Sequence, residues 1–224
     1  EIASGVQTIQ YQINTLMTTN GQNPGVTLFM HLDDKDKYIE ENARLFEEMF
    51  KQRIVGIKNA DDEYVSAVYP KLVYVLDENN ILKGGKYDYI TKLAMECAEK
   101  RLSPSFISAK MMRENYEGNV FSPLGSRAFL TPWRDEDGNY KFVGRFNQGV
   151  VSINLPQLGI VADGDMDEFW RLLDERLDIV REALMCRHHA LMGGTSDASP
   201  IHWQNGAIAR LGKSEKIDKY LTSG

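Results

Sequence analysis

Short β-prone runs alternate with longer amphipathic segments, and this alternation constrains the chain most. VTLFMHL (26–32) and YPKLVYVLD (69–77) are each too short for a buried helix and read as buried strands. Between them, residues 35–54 carry Tyr38, Asn42, Leu45, Phe46, Met49 and Phe50 at spacings of three and four, with Gly56 where such a helix would stop. Residues 87–101 repeat the helical pattern with Ile90, Leu93, Ala94, Cys97 and Ala98 on one side. Ser103 and Pro104 suggest a helix start continuing through Met112. VVSINLP (150–156) reads as a third buried strand ended by Pro156. Asp165 can cap a long following helix and Glu168 can close its capping box, with Phe169, Leu172, Leu173, Leu177, Val180, Leu184 and Met185 on the buried side. Strands alternating with helices predict an α/β fold with crossover helices.

The remaining segments are connections or ambiguous. Residues 6–17 fit helix or strand, and TNGQNPG (19–25) is a turn-rich break. NNILKGGKYDY (79–89) and TSDASPIHWQNG (195–206) read as loops, DEDGN (135–139) as an Asp-Gly hairpin turn, and 207–221 as a broken helix. At 224 residues and 42% apolar content the chain suits one domain with a real core. Three or four strong strands are too few for a closed eight-stranded barrel. The opening EIASGVQTIQ, without methionine, and the closing KYLTSG read like a piece of something longer.

Charge and cysteine content exclude several classes. The net charge is -6 with no Lys/Arg cluster, which argues against DNA or RNA binding but not against free nucleotides. Two cysteines, Cys97 and Cys186, supply neither a disulfide framework nor a C-x-x-C site, so a reducing cytoplasmic setting is the simplest. No run of about 18 apolar residues suggests a membrane span.

Isolated motifs are weak. No dinucleotide fingerprint or phosphate loop occurs, and KGGKYDY (83–89) is at most a weak phosphate nest. His188 and His189 are adjacent, so on a helix they diverge by about 100° and do not share a metal easily. Asp135, Glu136 and Asp137 start like a calcium loop but lack its later ligands. Ser126 has no nucleophile elbow around it. His202, beside Trp203 in a polar loop, is a candidate pocket wall. Asn147 stands between Gly144 and Gly149, close to Arg145, just before the expected third strand. Its carboxamide offers a donor and an acceptor for hydroxyl recognition, against the plainer role of stabilising a turn.

Longer blocks say more. NYEGNVFSPLGSRAFLTPW, DEDGNYKFVGRFNQGVVSINLPQLGI, LMCRHHAL and SPIHWQNGAIARL, with YQINTL and YPKLVYVLDENN, resemble the anaerobic (class III) ribonucleoside-triphosphate reductases, which are glycyl radical enzymes. The resemblance runs through essentially the whole chain. It implies a portion of a ten-stranded α/β barrel of the pyruvate formate-lyase-like kind, two antiparallel five-stranded halves around a finger loop, here at about 119–130. The family's ATP-binding regulatory domain, zinc-binding segment and glycyl radical loop are not visible in these residues.

In that family a stored glycyl radical, installed by an iron-sulfur/S-adenosylmethionine activase, oxidises a finger-loop cysteine. The resulting thiyl radical starts reduction of a ribonucleoside triphosphate, with formate or a thiol system as reductant and ATP or deoxynucleotides as effectors. The family tip reads Pro-Met-Gly-Cys-Arg; here it is Pro123-Leu124-Gly125-Ser126-Arg127. The resemblance therefore puts Ser126 at the thiyl position, Leu124 at the methionine and Asn147 at an asparagine near the ribose, with Gly125 and Arg127 unchanged. An oxygen–hydrogen bond is much stronger than a sulfur–hydrogen bond, so Ser126 is expected not to carry the radical, and this chain not to reduce nucleotides alone. Leu124 also lacks the polarizable sulfur of methionine. Cys97 and Cys186, on apolar faces of expected helices, do not replace the missing thiol. Ser126 equally fits a scaffold or nucleotide-binding remnant that lost the chemistry, or a deliberate cysteine-to-serine replacement. A relative such as an acyl-lyase or dehydratase shares the fold, but the Asn147 block favours the reductase. A partial barrel exposes strand edges, so a homo-oligomer or a rearranged open sheet is expected.

Overall fold

The computed structural model describes residues 1–17, 19, 21, 25–123 and 129–221. They fall into two units, 1–127 and 128–224, each with its own packing.

The first unit is built on parallel strands. Helix α1 (Ile2–Thr15) resolves the ambiguous opening as helix. Strand β1 (Thr27–Met30) is followed by α2 (Ile39–Val55), which ends where Gly56 takes φ 97°. A small antiparallel pair, β2 (Ile57–Lys58) and β3 (Tyr64–Val65), precedes the central strand β4 (Lys71–Leu76). A one-turn helix α3 (Glu78–Ile81) and then α4 (Asp88–Arg101) lead to β5 (Ser105–Ser108) and α5 (Ala109–Asn115). The sheet order is β1-β4-β5, parallel throughout, with Leu28 opposite Leu72 and Tyr74 opposite Phe106.

Parallel neighbours require crossovers, and α2 and α4 are those crossovers, packed on each other. Val73, Tyr74 and Val75 are fully buried, so both faces of β4 are covered, as its continuous apolar run requires. The core joins Val6, Met30, Leu32, Phe50, Leu72, Tyr74, Ile90 and Cys97. Phe50 meets Tyr74 edge-on at 5.5 Å. Arg53 is buried within it, its guanidinium donating to the Ala67 and Pro70 carbonyls. Arg101 of α4 donates to the Ile54 and Val55 carbonyls, satisfying the open end of α2.

Two expectations fail here. Ser103 and Pro104 do not start a helix: 105–108 pair with β4, and Ser108 caps α5 by accepting from the Met111 amide. Strand pairing along β4 outweighs the local helix-start chemistry. Residues 79–89 are not loop throughout. Asp77 and Asn80 form a reciprocal capping box that supports α3. The two glycines of the expected nest lie in a turn where the Gly84 amide donates to Asp88.

The second unit contains the hairpin β6 (Trp133–Arg134) and β7 (Tyr140–Lys141) around the Asp-Gly turn, then α6 (Leu155–Ala162), α7 (Met166–Leu191) and the short α8 (Pro200–Trp203). Its core gathers Trp203, Ile217, Tyr220 and Leu221 against Trp133, Phe146 and Leu191.

The expected strand at 150–156 is not formed. Residues 150–154 have no ladder partner among the described residues, and Val150 is exposed. Asn154 instead caps α6 through the Gln157 amide, and Pro156 opens that helix rather than ending a strand. Asp165 caps α7 as expected, accepting from the Asp167 and Glu168 amides. Glu168 does not close the box, because its carboxylate takes a two-point bond from Arg171. Of the expected buried side of α7, only Leu172 is fully buried. The expected broken helix at 207–221 reduces to one 3-10 turn, Asp218–Tyr220.

Candidate functional site

The carboxyl ends of parallel strands are where open α/β sheets place their sites, because the loops there diverge and leave a crevice. In the first unit that edge is organised by Asp77, the residue after β4. Its Oδ1 accepts from the Glu78 amide at 2.9 Å, which starts α3. Arg113 reaches over from α5 with Nη1 2.8 Å from Oδ1 and Nη2 2.6 Å from Oδ2. His31, just past the end of β1, brings Nε2 to 3.0 Å from Oδ2. Asn80 braces the turn, accepting from the Asp77 amide and donating to the Val75 carbonyl.

Burial alone would raise the Asp77 carboxyl. The hydrogen bonds from Arg113, His31 and the Glu78 amide outweigh it and hold the group far below the usual carboxylate range. Asp77 is therefore a fixed anion at physiological pH and not a proton shuttle. Beside it lies a polar cavity of about 380 Å³ lined by Asp33, Asp34, Lys35, Asp77, Glu78 and Arg113 and by the 118–120 backbone. The sequence reading missed this constellation. Its available signal was a carboxylate directly after a buried apolar strand, with a basic residue on the helix of the next β-α step.

The stem of the tip rises from the same edge. After α5 the chain turns through Glu117 and Gly118, both with positive φ. Asn119 donates to the Tyr116 carbonyl, and buried Phe121 meets Tyr116 edge-on at 4.9 Å. Leu124, Gly125, Ser126 and Arg127 lie outside the described residues.

In the second unit, Asn147 sits in a tight loop where its Oδ1 accepts from the Gly149 amide at 2.8 Å. This is the turn-stabilising geometry, and it engages the carbonyl side of the carboxamide. Gln148 Oε1 lies 2.9 Å from His188 Nδ1 on α7. Gly149 has φ +125°, and a Cβ there would fall 2.0 Å from Arg187 Nη1. Gly149 is thus required for the α7 arginine to lie across the loop. Gln148, Gly149, Leu184, Met185, Arg187 and His188 line a cavity of about 250 Å³.

Arg145 donates to the Phe142 and Leu130 carbonyls, and its burial depresses its pKa. It ties the segment after the hairpin to the segment leaving the tip. His202 is exposed, with Nδ1 2.6 Å from Ser199 Oγ, while the neighbouring Trp203 is buried. His188 and His189 hold their rings 5.9 Å apart at 55°. Among the described residues, no three His, Cys, Asp or Glu side chains converge to hold a metal ion. No helix among them is long and apolar enough to cross a membrane. Cys97 lies in the first core, where burial pushes its thiol up to about 11. Cys186 is an exposed residue of α7.

The sequence model of the anaerobic ribonucleoside-triphosphate reductases matches residues 1–224, the whole of this chain. The chain belongs to the anaerobic ribonucleoside-triphosphate reductase family. The enzyme of that name from Escherichia coli (strain K12) is 36% identical over 227 aligned residues, covering all of this chain and 31% of the relative. That of Enterobacteria phage T4 is 35% identical over 232, covering all of this chain and 37% of the relative. That of Haemophilus influenzae is 35% identical over 228. The chain thus spans about a third of the length of the curated reductases it matches.

As a reductase-family member it has two loops to account for, the 119–130 stem and the 144–149 turn. Of the first, residues 118–120 lie beside Asp77, and the second is held by Asn147 and by α7.

Proposed function

We propose that this chain is the finger-loop section of an anaerobic ribonucleoside-triphosphate reductase barrel, and that it does not reduce nucleotides by itself. One observation carries the reading: the family match extends over every residue, while the tip is Pro-Leu-Gly-Ser-Arg. In this reading β1, β4 and β5 are three adjacent barrel strands, and 119–130 is the finger loop, entered through residues 119–123 from their carboxyl edge. Residues 150–154 are a barrel strand whose ladder partner belongs to the rest of the reductase. That accounts for an apolar, β-branched run with no ladder partner among the described residues.

The substrate class is a ribonucleoside triphosphate. Asn147 commits its carbonyl to the Gly149 amide, which leaves the carboxamide NH2 to donate to a ribose hydroxyl. The family's glycyl radical would take the hydrogen atom of a tip thiol and leave a thiyl radical, and Ser126 does not fit the role of that thiol. A serine hydroxyl keeps its hydrogen where a thiol would give it up. The described cysteines offer no substitute: Cys97 is sealed in a core, and Cys186 lies on the exposed surface of α7. The activase, formate or thiol reductant, zinc and nucleotide effectors belong to the whole reductase. A second reading, a scaffold that kept the fold and lost the chemistry, is favoured by Ser126 and Leu124 together.

The test is a graft. Residues 1–224 replace the matching third of the E. coli relative, which is then activated and supplied with formate and ribonucleoside triphosphates. The expected result is no deoxynucleotide with Ser126 and measurable product with Ser126→Cys. A graft that folds but stays inactive with cysteine would favour the scaffold. Deoxynucleotide formation by the unaltered chain alone would refute the proposal.

A further inference from the structure

The Asn147 turn stands in a stretch with no regular structure. Residues 150–154 have no ladder partner among the described residues, so no sheet fixes where the turn lies. The bond from the Gly149 amide to Asn147 Oδ1 sets the shape of the turn and not its place in the unit. Before the turn, Phe146 anchors the chain by packing against buried Trp203 at 5.3 Å. After it, two adjacent residues of α7 grip two adjacent residues of the loop. His188 Nδ1 lies 2.9 Å from Gln148 Oε1, and Arg187 lies against Gly149, where the lack of a Cβ admits its guanidinium. A carboxamide oxygen only accepts, so His188 Nδ1 carries the hydrogen and donates it. This end of α7 is itself tied down. Leu191 packs on the Trp203 cluster, and the Gly193 amide donates to Asp218.

We propose that His188 is a positioning residue for nucleotide reduction, acting through Gln148 to hold the Asn147 carboxamide where its NH2 meets a ribose hydroxyl. The inference rests on the reductase reading and on the ribose contact of Asn147, and adds the group that keeps that contact in place. His188 does not touch substrate in this scheme. It fixes the residue next to Asn147 to a helix, so that the carboxamide meets the ribose already aimed. A positioned donor loses most of its value when displaced by about 1 Å, which is the scale of movement that a released loop allows. Gln148 and His188 are both half-buried, so the hydrogen bond between them is shielded from competing water. Arg187 adds a second point of contact one residue along, and two points fix the direction of the loop where one would leave it free to pivot.

The experiment measures turnover in the graft carrying Ser126→Cys and amide hydrogen exchange in the 224-residue chain, with each variant checked for native helicity. His188→Ala should lower kcat about 10-fold and leave KM within about 3-fold of the parent, because the substrate keeps its other contacts. Gln148→Ala should do the same, and the double variant should be no worse than either alone, since the two side chains act as one contact. His188→Asn places a carboxamide NH2 near the position of Nδ1 and should restore kcat to within about 3-fold of the parent. A merely structural role predicts the reverse order, because alanine is the better helix former. In the chain, the Gly149 amide should exchange about 10-fold faster in His188→Ala than in the parent or in His188→Asn. An active graft whose kcat ignores His188→Ala, or a Gly149 amide whose exchange does not respond, overturns the inference and leaves the reductase reading standing. A graft that shows no turnover even with cysteine overturns that reading, and the positioning role of His188 falls with it.

Discussion

Asp77 and Arg113 meet through two parallel hydrogen bonds, 2.8 and 2.6 Å long, that join the end of β4 to α5. The pair fixes α5, the helix that leads into residues 117–123, and Asp77 also caps α3. Asp77→Asn keeps the cap and an acceptor but loses the charge. Arg113 is partly exposed, which limits the penalty of leaving it unpaired. The expected cost is about 2 kcal/mol, and about 3 kcal/mol for Asp77→Ala, which loses the cap as well. Urea unfolding at pH 7 measures both. The pH dependence follows from the sign of the shift. A carboxyl lowered in the folded state contributes stability above its unfolded value of about 3.9, and that contribution fades as pH falls toward the folded value. The parent should therefore lose stability steadily below about pH 4, and Asp77→Asn should show a flatter curve there. Parallel curves would mean that the fold does not lower the Asp77 carboxyl below its unfolded value.

Tyr74 gives the opposite limb. Burial raises its phenol to about 12, against a smaller lowering by the hydrogen bond with Thr91. The neutral form is favoured in the fold, so this contribution is intact below about pH 10 and is lost as pH climbs toward 12. Ultraviolet titration should show one tyrosine ionising after the others, together with unfolding. Tyr74→Phe should remove that late step at a cost of about 1 kcal/mol, the net worth of one hydrogen bond. A late step that survives the substitution would place the last phenol elsewhere.

Gly56 was legible as a helix stop, and the structure adds why nothing else fits. Its φ is 97°, and a Cβ would fall 2.4 Å from the Val65 backbone carbonyl, which cannot swing away as a side chain could. Gly56→Ala combines strained backbone with that clash and should cost about 2–4 kcal/mol. Thermal unfolding would show it, and a loss below about 1 kcal/mol would mean that β3 can shift.

What was readable depended on whether a segment's partners were nearby. The strand at 69–77 and the helices at 35–54 and 87–101 carry periodic apolar patterns satisfied within one unit, so pattern and structure agree. Residues 105–108 failed because strand pairing with β4, a long-range effect, overrides a good local helix start at Ser103. Residues 150–154 failed in the other direction: the strand pattern is real, but no described strand lies beside it. The Asp77 constellation joins His31, Asp77 and Arg113 from three elements, and no spacing along the chain announces it. Asn147 could be singled out because a glycine-flanked carboxamide before an apolar run is a local feature.

Asn147 carries two roles that substitution can separate. Its Oδ1 holds the Gly149 amide, while the proposed ribose contact uses the NH2. Asn147→Asp keeps the acceptor and removes the donor, so the turn should persist with stability within about 0.5 kcal/mol of the parent. Asn147→Ala loses both and should cost about 1 kcal/mol. In the grafted reductase carrying Ser126→Cys, both variants should cut turnover by about 10-fold or more, as expected from losing one positioned donor. The diagnostic result is Asn147→Asp with parental stability and impaired turnover. If that variant keeps both, Asn147 serves only its own turn, and ribose recognition must be sought in another part of the reductase.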